Sequence, residues 1–184
     1  MTDRLPPITF EQLSAAQQVA AQAVIDGPRG ALYGPFVALI RSPELMSAAQ
    51  KMGEYLRYRS AIGTRLSELA ILVTARQWNQ QVEWAIHAPI AQQHNISPDI
   101  ISAIALRQRP TAMTGEEALV HDFCVELHQQ KQVREPTYSA ALAQFGEQGI
   151  ADLIGINGYY TFLAMMMNAA QTAVPQSTAK PLPE

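Results

Sequence analysis

Glu68-Leu-Ala-Ile-Leu-Val-Thr-Ala-Arg76, followed closely by Gln80-Gln-Val-Glu-Trp-Ala-Ile-His87, is the stretch on which the fold turns. The first half continues a helix opened at Gly63-Thr64. Leu66, Leu69, Ala70 and Val73 line one side of it, while Leu72 and Ala75 occupy the opposite side. A helix apolar on both sides is central in its domain, and Glu68, on the Leu72 side, is carried into partial burial. In the second half, Gln80, Glu83, Trp84 and His87 recur at steps of three, four and seven, so they share one helix face. If the two segments pack as neighbours, two carboxylates and an imidazole meet.

Working outward, the chain reads as helices separated by marked stops, with no strand alternation. Thr9 and Gln12 form a capping-box pattern that opens a helix through about Val24. Asp26-Gly-Pro-Arg-Gly30 breaks it, and Tyr33-Gly-Pro-Phe36 is a second turn-rich element. Ser42-Pro43-Glu44 starts the next helix. The helix from about Gln80 to His94 has Val82, Ile86, Pro89 and Ile90 as its apolar stripe, and Pro89 is expected to kink it. Ser97-Pro98-Asp99 caps a short helix to about Gln108, and Thr114-Gly-Glu-Glu117 opens one through about Gln130. A short helix over roughly Pro136–Phe145 and a long apolar one from about Ile150 to Ala170 complete the set. This predicts an all-α single domain at 41–175, a helical N-terminal extension at 1–40 and a flexible tail at 176–184.

Bulk properties narrow the function classes. A chain of 184 residues is long enough for one sizeable core. Net charge −3 leaves no basic footprint for nucleic acid. No run approaches the eighteen or so uninterrupted apolar residues of a spanning helix, so no membrane partner is expected. The opening Met-Thr-Asp-Arg-Leu-Pro-Pro lacks the apolar core of a signal peptide, which makes cytoplasmic the expected location. The single cysteine excludes an intrachain disulfide and any intrachain dithiol mechanism.

Each candidate site has a plainer reading beside it. On periodicity alone, the Glu83–Trp84–His87 face is the solvated side of an amphipathic helix. Trp84 argues the other way, since a large aromatic on a solvent face normally has something covering it; with His87 and Glu83 it would wall an acid–base pocket. Glu68 either pairs with Arg65 or Arg76, or orients an imidazole and holds a proton. His121, Cys124 and His128 share a helix face but lack a fourth ligand, so no metal site is assigned. Tyr159 and Tyr160, with Met165–Met167, read as core or subunit interface, though either tyrosine would serve to place a hydroxyl in a pocket. Arg57, Arg59 and Arg65 flank the Gly63 turn; solvation is the plain account, and recognition of a substrate carboxylate the alternative.

Taken together, Glu68-Leu-Ala-Ile-Leu-Val-Thr-Ala75, Glu83-Trp-Ala-Ile-His-Ala-Pro-Ile-Ala91, Ser97-Pro-Asp-Ile-Ile101, Asp122-Phe-Cys-Val-Glu-Leu127, Phe145-Gly-Glu147 and Ile154-Gly-Ile-Asn-Gly-Tyr-Tyr160 resemble the carboxymuconolactone decarboxylase family. The resemblance spans roughly Arg41 to Pro175. It implies the AhpD-like helical bundle and self-association into trimers or hexamers. One branch, alkylhydroperoxidase D, uses a Glu, two cysteines two residues apart and a His; these fall on Glu68, Gln80, Glu83 and His87, so carboxylate and imidazole match while both sulfurs are missing. Gln and Glu cannot attack a peroxide as a thiolate does, which disfavours a peroxide-reducing oxidoreductase. The other branch decarboxylates a carboxylated lactone without a cofactor. On that resemblance His87 is the general acid, Glu68 or Glu83 sets its tautomer and protonation, and Trp84 forms a pocket wall. Arg65 would hold the substrate carboxylate and Tyr159 completes the binding set, with no cofactor and no metal. A third reading is a non-catalytic small-ligand binding protein; it requires Glu68 and His87 to stand too far apart to bond, and no enclosed cavity beside Trp84.

Overall fold

In the computed structural model, which describes residues 3–183, the chain is all-α, with no strand among those residues. Eight α-helices follow a 3-10 turn at Phe10–Gln12: α1 (Ala15–Ile25), α2 (Pro35–Leu39), α3 (Pro43–Tyr58), α4 (Gly63–Gln77), α5 (Gln81–Gln93), α6 (Pro98–Ala105), α7 (Gly115–Gln130) and α8 (Glu135–Ala170). As its two-sided apolar pattern requires, α4 is the central helix. Every residue from Leu66 to Arg76 is buried, and α5, α7 and α8 all pack against it.

The N-terminal helix differs from the expected single run from Thr9 to Val24. Thr9 leads only the 3-10 turn. Leu13 then turns to extended backbone and buries its side chain, and Ser14 with Gln17 forms a second capping box that starts α1. α1 packs on α3 and α2 on α8, so the extension contributes Ala21, Val24, Phe36 and Leu39 to the common core. The predicted break in the last helical region falls at Gly146, whose φ of 68° is open to glycine and strained for other residues. α8 as a whole is long and apolar enough to cross a membrane by length and composition. Its interruption at Gly146 and its burial of Leu153, Ile156, Tyr160, Leu163 and Met167 make it a core helix.

On α5 the face assignment is largely reversed, with Val82 the one residue of the expected apolar stripe that is buried. Glu83, Trp84, His87, Ala88 and Ala91 are buried, whereas Ile86, Pro89 and Ile90 are only half-buried. The polar face turns inward because its side chains find buried partners on α4 and in the C-terminal segment. That segment, expected to be a flexible tail, runs along α5. The Trp84 indole donates to the Lys180 carbonyl at 3.1 Å, Gln81 exchanges two hydrogen bonds with the Leu182 backbone at 2.9 Å, and the Leu182 side chain is buried. Pro89 explains the anchor nearer α8. Proline has no N–H for the Ala85 carbonyl one turn back, and the Ser177 hydroxyl donates to that carbonyl at 2.5 Å.

Candidate acid–base site

The site is assembled at the α4–α5 contact. Glu68 is fully buried in α4, and its Oε2 meets His87 Nδ1 of α5 at 2.7 Å. Its Oε1 accepts from Arg57 Nε, near the end of α3, at 3.1 Å. Burial pushes the Glu68 carboxyl up, but His87 and Arg57 together outweigh it and hold the group below the ordinary carboxylate range. Burial likewise pulls His87 below the usual imidazole range; Glu68 opposes that shift, and Arg57 and Arg29 reinforce it. The pair is therefore carboxylate and neutral imidazole. An ionised Glu68 can only accept, so Nδ1 carries the hydrogen and Nε2 keeps its lone pair. The His87 ring is also held edge-on by Tyr160, centroids 5.3 Å apart, and Tyr160 in turn by Tyr159 at 5.2 Å.

His87 opens on a small cavity of about 20 Å³, bounded by Arg29, Tyr33 and Phe36 from the N-terminal extension and by Arg57, Glu83 and Tyr160. That is room for about one water molecule. Glu83, one turn before His87, has no hydrogen-bond partner for either carboxyl oxygen among the described residues. Burial alone raises its pKa well above the usual carboxylate value, so it rests as the neutral acid.

Of the residues expected in the site, Glu68, Glu83 and His87 converge, and three others do not. Arg65 lies at the start of α4 and pairs with Glu116 and Glu117 of α7 at 2.9 and 2.6 Å. The arginine that meets Glu68 is Arg57, because the end of α3 packs beside Ser67 and Glu68 of α4. Trp84 points to the other side of α5, where it walls an apolar groove of about 490 Å³ between α5, α6 and the C-terminal segment. Tyr159 sits behind Tyr160, its hydroxyl buried without a partner among the described residues and its pKa pushed by burial to about 12. Its ring fits there because residue 53 on α3 is glycine: a Cβ would stand 2.2 Å from the Tyr159 oxygen. Sequence reasoning missed Arg29 and Tyr33. The only signal was punctuation, two Gly-Pro pairs in a connection long enough to fold over a neighbouring helix.

The remaining polar candidates scatter. Gln80 caps α5, accepting from the Val82 and Glu83 backbone and donating to Asn168. His121 pairs with Asp122, His128 with Thr74, and Cys124 accepts a hydrogen bond from Asn157. The buried thiol of Cys124 is pushed up to about 12, the opposite of what a reactive thiolate needs.

No protein-family model and no curated protein matches the sequence. Among solved structures, the chain is similar to the alkylhydroperoxidase AhpD core protein of Ralstonia eutropha JMP134, described as an uncharacterized peroxidase-related protein. The TM-score is 0.76 at 16% identity, over 94% of this chain and 92% of that one. The fold is thus the AhpD-like all-helical one, and at this identity the likeness is one of fold.

Proposed function

We propose that this protein is a cofactor-independent carbon–carbon lyase that decarboxylates a small unsaturated acid of the carboxylated-lactone type. The observation that carries the reading is the buried Glu68–His87 pair, backed by Arg57, facing a cavity that also holds the neutral, unpartnered Glu83. The chemistry needs little else. As the bond to the leaving carboxylate breaks, carbon dioxide departs and its electron pair enters the conjugated lactone as a dienolate. The positive edge of Arg57 opposes the developing charge in a low-dielectric cavity. A proton must then reach carbon, and Glu83, the group that already holds one, is its source; solvent restores it.

This changes the role expected for His87. With a neutral ring bonded through Nδ1 to an ionised Glu68, its free Nε2 is a base, and Glu68 stabilises the imidazolium formed when it accepts a proton. The acid is instead Glu83, because burial without a hydrogen-bond partner among the described residues keeps its proton on. Thiol-based peroxide reduction has no support: no cysteine borders the cavity, and Cys124 is buried on α7.

Incubating the pure protein with γ-carboxymuconolactone while following its ultraviolet absorbance tests the reading. Turnover is expected, and Glu83→Gln should lower it by roughly 10²–10⁴-fold. No turnover at high enzyme concentration would remove this substrate, and a fully active Glu83→Gln would remove the mechanism.

A further inference from the structure

We propose that Arg29, in the turn between α1 and α2, is the anion-recognition residue of the Glu68–His87 cavity and takes the carboxylate of a small organic monoacid there. This rests on that cavity being the binding site, and not on the reaction that follows.

Three observations converge. First, Arg29 is held without being neutralised. Its Nε donates to the Gln50 side-chain oxygen at 2.6 Å, and its guanidinium lies 4.7 Å from the centre of the Phe36 ring. Both supports are uncharged. By contrast Arg65, Arg109 and Arg134 each meet a carboxylate. Second, Arg29 borders the cavity, and its Nη2 is buried with no hydrogen-bond partner among the described residues. A buried guanidinium N–H without an acceptor costs free energy until a ligand supplies one. Third, Arg57, the other arginine on the cavity, is already ion-paired with Glu68, so Arg29 is the arginine there that meets no carboxylate among the described residues. The site is walled by Phe36 and Ile86, which suits a single anion with an apolar body.

The cavity admits about one water, so a larger acid enters only by displacing its cover. That cover is the connection carrying Arg29 and Tyr33, ahead of the core residue Phe36 of α2. It is jointed at Gly30 and Gly34, both at positive φ, held within itself by turn hydrogen bonds such as Gly30 N to Gly27 O at 3.2 Å, and tied to α3 by the Arg29–Gln50 bond. The arginine that recognises the anion therefore rides on the element that must open for it.

The test is binding of 2-furoate by titration calorimetry, with uncharged methyl 2-furoate as the comparison. Wild-type protein should bind the acid and not the ester. Arg29→Met should weaken binding by about tenfold or more, Arg29→Lys should retain part of it, and Arg65→Gln should bind as wild type does. Equal binding of acid and ester, no binding of the acid, or unchanged affinity in a folded Arg29→Met would overturn the proposal. If Arg29→Met does not fold, phenylglyoxal modification of the wild-type protein decides: furoate should protect Arg29 and leave Arg59 reactive, and an unprotected Arg29 counts against the proposal. Furoate binding without lactone turnover would remove that lactone as substrate and leave this proposal standing.

Discussion

Glu83 and His87 stand one helical turn apart on α5 and border the same cavity, yet only His87 has a partner, the Glu68 carboxylate at 2.7 Å. The structure thus separates two adjacent titratable groups into a base with a stabilised conjugate acid and an acid with an unsupported conjugate base. Because burial raises the Glu83 pKa, the folded state holds that proton more tightly than the unfolded chain does. Stability from this group is full below the ordinary carboxyl value of 4.5 and is lost as pH rises above it. Glu83→Gln, which cannot ionise, should therefore match wild type near pH 4. By pH 8 it should exceed wild type by about 1 kcal/mol or more, roughly 2–4 °C in Tm. Lyase turnover should fall at the same time. Thermal melts at the two pH values check this, and a variant less stable than wild type at pH 8 would show that Glu83 is ionised and paired.

Glu68 has the opposite sign. Its folded pKa is depressed, so its contribution is present at neutral pH and lost as pH falls through the folded value. His87 adds to the acid sensitivity, since a ring buried neutral is destabilised once pH drops below the usual imidazole value of 6.5. Glu68→Gln leaves Arg57 buried without its counter-ion and should cost about 3 kcal/mol or more at pH 7, roughly 6–12 °C. Wild type should lose stability steadily on acidification from pH 7, and the variant less so.

Gly53→Ala tests the wall behind the site. Alanine gains about 1 kcal/mol in helix propensity, but its Cβ would lie 2.2 to 2.7 Å from the Tyr159 ring and hydroxyl. Overpacking of this kind costs about 1–3 kcal/mol. The net change should be destabilising, and the shift passes through Tyr160 to His87, so activity should drop as well.

The C-terminal segment is a structural strap on α5. Ending the chain at Pro175 removes the Ser177, Lys180 and Leu182 contacts, and should cost about 3 kcal/mol from one buried leucine side chain and several hydrogen bonds. Tryptophan emission should shift to the red as Trp84 becomes wet. Unchanged emission and Tm would show that the segment does not hold this position in solution.

Cys124→Ser should leave lyase turnover unchanged, because the thiol is buried behind Asn157 and borders no part of the cavity. Peroxide consumption that disappears in this variant would reveal a reactive thiol at this position.

How far the sequence carried differs from element to element. Helical period and caps made the starts of α3 and α4 and both ends of α7 legible nearly to the residue, since Pro43, Gly63 and Thr114 act on their own local backbone. The Glu68–His87 pair was legible as two candidates, one in a run apolar on both sides and one on a face with a tryptophan. Which face of α5 turns inward was not, because periodicity measures contrast between faces and not burial. The polar face won through partners distant in the chain: Glu68, Asn168, and the Lys180 and Leu182 backbone.

By itself, then, the sequence determined that this chain is helical, that α4 is its axis, and that no dithiol works in it. These follow from local backbone preferences and from composition. Only the tertiary structure decided that Arg57 and not Arg65 meets Glu68, that Trp84 faces away from His87, and that Arg29 closes the site from a segment almost forty residues upstream of Glu68. Those outcomes depend on where helix axes cross, and a crossing is set by the packing of side chains far apart in the chain, which no local spacing records.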